Sequence, residues 1–215
     1  MQLVAYGAQD IYITGNPQIT FFKIVYRRHT NFAMETVQQS LTGTNTASSS
    51  SKKECSSIIS RNGDLVTNLY VTSSTPDIVN GDAIIDDCMI EIGGQKIDKH
   101  YKEWMQIWAE LTTPESKVNG YRNMLIENSG SVDNSSGLIY YPLNFWFCRN
   151  LGLALPLISL QLHEVKINIK WGTIPINTTA KLWIDYAFLD EDLRKKYAGN
   201  SHEYIIEQVQ RQSNN

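Results

Sequence analysis

Alternation of apolar and polar residues is sharpest at Glu164–Trp171, where Val165, Ile167, Ile169 and Trp171 fall on one side and Glu164, Lys166, Asn168 and Lys170 on the other. A period of two predicts a strand with one dry and one wet face. Lys181–Leu189 repeats it, with Leu182, Ile184, Tyr186 and Phe188 opposite Lys181 and Asp185. Trp183 and Leu189 make its second face partly apolar, which predicts a cover over the outside of that strand. Gln18–Val25 is a further strand, entered through the turn Gly15-Asn16-Pro17, and Met34–Leu41 and Leu138–Leu143 are two more. Cys55–Ser60 and Leu65–Thr72 flank Arg61-Asn62-Gly63-Asp64, and Asn-Gly tolerates the positive φ angles of a type I′ turn, so a hairpin is predicted there. Ala83–Ile92 and Gln95–Tyr101 flank Gly93-Gly94 and predict a second hairpin by the same logic.

The period changes at Tyr101–Leu111, where Trp104, Trp108 and Leu111 recur at three-to-four spacing with Met105 and Ile107 beside them. Thr113-Pro114-Glu115 then restarts a helical turn with proline at N1, so one or two short helices interrupt the strands. After Leu189 the segment DEDLRKKYAG places acids before bases, as the helix dipole prefers, with Gly199 as a stop. Ser201–Gln210 reads as a last extended strand. Thr42–Lys53 and Gly130–Gly137 have no apolar period and read as surface loops. Many short strands, no βαβ rhythm and no internal repeat predict an antiparallel sandwich of Greek-key or jelly-roll type.

Length and composition narrow this further. The chain has 215 residues and 24.4 kDa, with 42% apolar residues, enough for one domain with an ordinary core. Nineteen basic against 22 acidic residues give a net charge of -3, which argues against a protein that coats phosphate backbones. Cys55, Cys88 and Cys148 make neither a C-x-x-C pair nor an even set and read as reduced, buried thiols. No signal peptide pattern opens the chain, and Leu151–Leu162, the most apolar stretch, is too short and too interrupted to span a bilayer. A soluble, cytosolic chain without a transmembrane segment is expected, and the sequons at Asn134 and Asn177 are then coincidental.

Candidate chemistry is sparse. His29, His100, His163 and His202 are scattered singly, without the clustered histidines of a metal-binding cupin. His163-Glu164 and His202-Glu203 would diverge on a strand and cannot share one metal. Asp86-Asp87 diverge likewise, and Asp190-Glu191-Asp192 opens a helix, where acids complement the dipole. There is no nucleophile elbow, phosphate loop or dinucleotide fingerprint. Arg27-Arg28-His29 beside Tyr26 and Phe32 is too small a patch to bind nucleic acid and reads as a strand-end loop. The five tryptophans, Trp104, Trp108, Trp146, Trp171 and Trp183, belong to cores and interfaces by their spread. No catalytic, metal or cofactor site is expected.

Several ordered runs carry a resemblance. Gly7-Ala8-Gln9-Asp10-Ile11-Tyr12, Gly15 to Lys23, Tyr26 to Ala33, Ser60 to Leu65, Asn144 to Asn150, Leu155 to Ile158, His163 to Lys166, Asp185-Tyr186 with Phe188-Leu189-Asp190, and His202-Glu203-Tyr204 closely resemble major capsid proteins of nucleocytoplasmic large DNA viruses. The resemblance implies an eight-stranded jelly roll, the first of two in that family's subunit, three of which form a pseudo-hexagonal capsomer of an icosahedral shell. On it, residues 1–17 are an N-terminal arm, 18–190 the jelly roll, and 191–215 a helical connector and tail toward a second jelly roll absent from this chain. It implies a structural virion protein made in the host cytoplasm. Its partners are copies of itself in homotrimers, neighbouring capsomers and minor capsid proteins, with no direct contact to nucleic acid and no enzymatic activity. The rival readings are a lectin-like jelly roll binding a host glycan through Trp104 or Trp108, and a cupin-like metalloenzyme.

Overall fold

In the computed structural model, which describes residues 32–43, 54–74, 83–125, 138–172 and 180–212, ten strands form two antiparallel sheets. They are β1 (Phe32–Gln39), β2 (Thr42–Gly43), β3 (Glu54–Ile58), β4 (Leu65–Ser74), β5 (Ile85–Ile92), β6 (Gln95–Tyr101), β7 (Leu138–Pro142), β8 (Leu155–Pro156), β9 (Val165–Trp171) and β10 (Lys181–Leu189). One sheet runs β1-β10-β4-β7, with β8 continuing the line of β7 along β4. The other runs β2-β3-β9-β5-β6. The chain passes repeatedly between the sheets, the winding of a jelly roll, and eight strands remain when the two-residue β2 and β8 are set aside. Predicted Gln18–Val25, the N-terminal arm, the Gly130–Gly137 loop and both sequons lie outside the described residues.

The alternation in β9 and β10 becomes the core. Val165, Ile167, Ile169 and Trp171 face Leu182, Ile184 and Tyr186 from the opposite sheet, all at most 2% exposed. Val66, Leu69 and Val71 of β4, Ile85, Cys88 and Ile90 of β5, and Ile139 and Tyr141 of β7 complete it. Each such side chain stabilises the sandwich by about 1.5–3 kcal/mol on burial. Among the described residues all three cysteines are free thiols. Burial pushes Cys55 up to about 12, opposed by a hydrogen bond with Trp171; Cys148 is pushed up to about 12, and Cys88 is also raised, both mainly by burial. At pH 8 an alkylating reagent is therefore expected to leave the native protein almost unlabelled and to label all three cysteines in urea, read by intact mass; fast native labelling would contradict the burial.

Two expectations need correction. Asn62-Gly63 does not close a hairpin: β3 pairs β2 and β9, whereas β4 pairs β10, β7 and β8, so this corner crosses between sheets. Gly63 is not among the positive-φ glycines; its requirement is space, because a Cβ there would sit 2.7 Å from Tyr186 Cβ. By contrast, Gly93 and Gly94 have φ of 59° and 79° and close the β5–β6 hairpin as expected. Second, Ser201–Gln210 pairs with no strand. The aromatic stretch from Asn144 forms a helical turn, α3 (Trp146–Arg149).

The helices fall as the spacing predicts. α1 (Lys102–Thr112) buries Met105 and Ala109, and α2 (Glu115–Met124) starts with Pro114 at its N-cap, one position before the expected N1. α4 (Glu191–Gly199) is capped by Asp190, whose carboxylate accepts the Leu193 N–H at 3.2 Å.

Candidate functional site

Among the described residues, the side chains with the most defined surface geometry are those that fix the outer faces of the two sheets. The outer face of the β1-β10-β4-β7 sheet divides in two. At the Leu189 end Leu65, Ala154 and Ala187 cluster with Leu189 and with Tyr197 of α4, which supplies the cover predicted for β10. Asp64, 4% exposed, holds that helix in place: its carboxylate accepts from Arg194 Nε and Nη2 at 2.9 Å each and from the Leu189 N–H at 2.8 Å. At the other end Trp183 and Tyr70 lie nearly parallel, 9° apart with centroids at 6.3 Å, and Tyr140 follows at 6.5 Å from Tyr70. Trp183 Nε1 donates to Thr72 Oγ1 at 2.9 Å, which fixes the indole. Phe32 and Met34 of β1, each 49% exposed, lie opposite Leu189 and Ala187 and so extend the apolar character at the Leu189 end.

The outer face of the other sheet is charged. Cross-strand register sets Lys170 between Glu54 and Asp87, and Lys166 opposite Glu91. Lys99 Nζ lies 3.0 Å from Asp87 and Lys170 Nζ 3.6 Å from Glu54. This ladder of alternating sign lines a shallow concavity of about 540 Å3. An ion pair with an exposed partner, as Glu54 is for Lys170, contributes little stability, and the ladder's effect is on what the face accepts.

Among the described residues, those weighed for chemistry are not brought together. His163 precedes β9 with its ring against Gly93, and His202 stacks on Tyr197 with Nε2 2.8 Å from the Tyr197 carbonyl. Asp87 pairs with Lys99 and Glu191 with Lys195. Among the described residues no group of three or more His, Cys, Asp or Glu is placed to hold a metal. Trp104 and Trp108 are adjacent at 5.8 Å, but the Arg149 guanidinium lies 4.0 Å above the Trp108 ring, so one face of that indole is already covered. Arg27-Arg28-His29 lies outside the described residues.

One pair escaped the sequence reading. Asp98 and His100, 2% and 1% exposed, point inward from β6 with His100 Nε2 2.8 Å from Asp98 Oδ2. His100 stacks on Phe145 at 4.8 Å, and its Nδ1 has no hydrogen-bond partner among the described residues. The signal was present: Asp-x-His on a strand puts both side chains on one face. Burial pushes the Asp98 carboxyl up, but the hydrogen bond and charge of His100 and the amides of Val209 and Lys99 more than reverse this and hold it below its ordinary value. The resembling runs thus mark structural duties: Asp64 fastens α4, Arg149 caps Trp108, and Phe145 stacks on His100.

Three comparisons bear on this arrangement. A family model for the major capsid protein N-terminus matches residues 20–190. The major capsid protein of Pyramimonas orientalis virus is 46% identical across 98% of this chain and 58% of its own length, and that of Paramecium bursaria Chlorella virus 1 is 42% identical across 97% and 52%. The crystal structure of PBCV-1 VP54, fitted into a reconstruction of the virophage Sputnik, superposes with a TM-score of 0.73 at 36% identity, covering 89% of this chain and 50% of that one. The chain spans about half the length of the curated relatives it matches.

Proposed function

The chain belongs to the major capsid protein family, matching that family's N-terminal part over residues 20–190, and from that premise we propose that it is a structural virion protein that builds an icosahedral shell by self-association. The observation that carries this is the coincidence of a family match across most of the sandwich with the same jelly-roll winding in a capsid protein at 36% identity. The two outer faces fit the role: one aromatic and one an alternating-charge ladder, so a neighbour is met by apolar area on one side and by charge register on the other.

In this reading residues 1–17 are an arm, 18–190 the jelly roll and 191–215 the connector toward a second jelly roll. The assembled unit is a homotrimeric capsomer whose partners are neighbouring capsomers and minor capsid proteins, put together in the host cytoplasm and located in the virion. It touches no nucleic acid directly and performs no catalysis; its output is shape and contact area. No helix among the described residues is long and apolar enough to cross a membrane. Sedimentation velocity tests the self-association: a species of three times the 24.4 kDa chain mass is expected, growing with concentration, and a monomer at every concentration would count against it.

A further inference from the structure

The segment after α4 does not drift away from the body. Between residues 207 and 211 it contacts β6, α1 and α3 one after another. Glu207 pairs with Arg149 of α3; Gln208 Nε2 donates to the Ile97 carbonyl at 2.6 Å; the Val209 N–H donates to Asp98 Oδ1 at 3.0 Å; and Arg211 reaches Glu103 at 3.3 Å with its guanidinium 4.8 Å from the Tyr101 ring centre. β6 is the edge strand of its sheet, and Ile97 is the extra residue where the β5–β6 register shifts, with its carbonyl facing the segment.

Two features set this contact apart from ordinary packing. The body's side is built in, because Asp98 is buried and locked by His100, while Arg149 is held against Trp108. The segment's side is exposed: Glu207, Gln208, Gln210 and Arg211 all face solvent and only Val209 is half-buried. Charges of the two sides are complementary at both ends, negative on positive at Glu207 and positive on negative at Arg211. Little apolar area holds the segment down, so its local opening is cheap compared with unfolding of the sandwich.

We propose that the face made by β6, α1 and α3 is a recognition site for an extended peptide, occupied in cis by residues 207–211 of the same chain, with Asp98 as its buried anchor and Arg149 and Glu103 as its end clamps. Bound, the segment covers the β6 edge and fixes where the chain passes residue 212; lifted, it bares an edge strand able to pair with another extended segment. This goes beyond the capsid reading and stands whether or not that reading holds.

Limited trypsinolysis of the full chain at Arg211, followed by intact mass, tests it alongside amide exchange at Val209. Cleavage after Arg211 is expected to be at least about tenfold slower in the wild type than in Val209→Pro, which removes the donated N–H without touching the core, and Val209 itself is expected to exchange at least about tenfold slower than an unstructured amide. Asp98→Ala is expected to release the segment in the same way; should that variant fail to fold, Val209→Pro decides. Protection unchanged on about hundredfold dilution supports occupancy in cis. Equal cleavage rates in wild type and Val209→Pro, an unprotected Val209 amide, or protection that fades on dilution because another copy's segment fills the site, would each overturn the proposal.

Discussion

Replacing Gly172 with alanine is expected to cost about 3 kcal/mol or more, the upper range for overpacking, because the new methyl has nowhere to go. A Cβ at Gly172 would lie 2.0 Å from the Ala83 carbonyl oxygen and 3.3 Å from that of Ile84, both backbone atoms that cannot swing aside. The close approach has a cause: the Gly172 N–H donates to the Ile84 carbonyl at 2.7 Å, drawing the end of β9 against the start of β5. Urea unfolding followed by tryptophan fluorescence reads the loss directly, since Trp171 is fully buried next to the site. A variant within about 1 kcal/mol of wild type would mean that this strand end relaxes freely and does not set the sheet.

Removing His100 is the second large effect. His100→Leu keeps an apolar surface against Phe145 but leaves the buried Asp98 carboxylate without the His100 Nε2 at 2.8 Å, and leaving such a group unsatisfied costs about 3 kcal/mol. The pH dependence separates this cause from simple loss of packing. Asp98 is held below its ordinary value in the folded wild type, so its contribution is fully present above the unfolded value of about 3.9 and is lost as the pH falls through the folded value. Removing His100 takes away two of the causes that lower the carboxyl and leaves burial, the largest single cause, in place, so the folded value is expected to rise. Protonating it then relieves the variant, so its deficit is expected to shrink between pH 7 and pH 4. An equal deficit at both pH values would assign His100 a packing role alone.

How much of this could be read beforehand depended on whether local chemistry decided the outcome. β9 and β10 were legible because a strict period of two runs over whole strands and each has one face in the core. The Gly93-Gly94 hairpin was legible because both positions require positive φ. Asn62-Gly63 carries the same local signal, yet the next strand crosses to the other sheet; turn residues specify a reversal and say nothing about which sheet receives it. Ser201–Gln210 misled for a related reason. Tyr204, Ile205 and Ile206 look like a strand, but the segment is held by the side chains of Asp98, Arg149 and Glu103, which a ladder-based reading does not weigh. The Asp98–His100 pair was hidden by its own polarity, since charged residues in β6 suggest a solvent face. For the surfaces, the sequence showed an excess of apolar residues on β10 but not that α4 covers only one end of it.

The most direct measurement is a cryo-EM reconstruction of particles that contain this chain, at a resolution that separates strands. The two-sheeted sandwich with α4 against its aromatic sheet is expected as a repeated unit of the shell, with Trp183 and Tyr70 or the Lys166–Lys170 ladder facing a neighbouring subunit. Particles whose shell density fits without this chain, or that hold it as isolated copies touching no equivalent neighbour, would contradict the account.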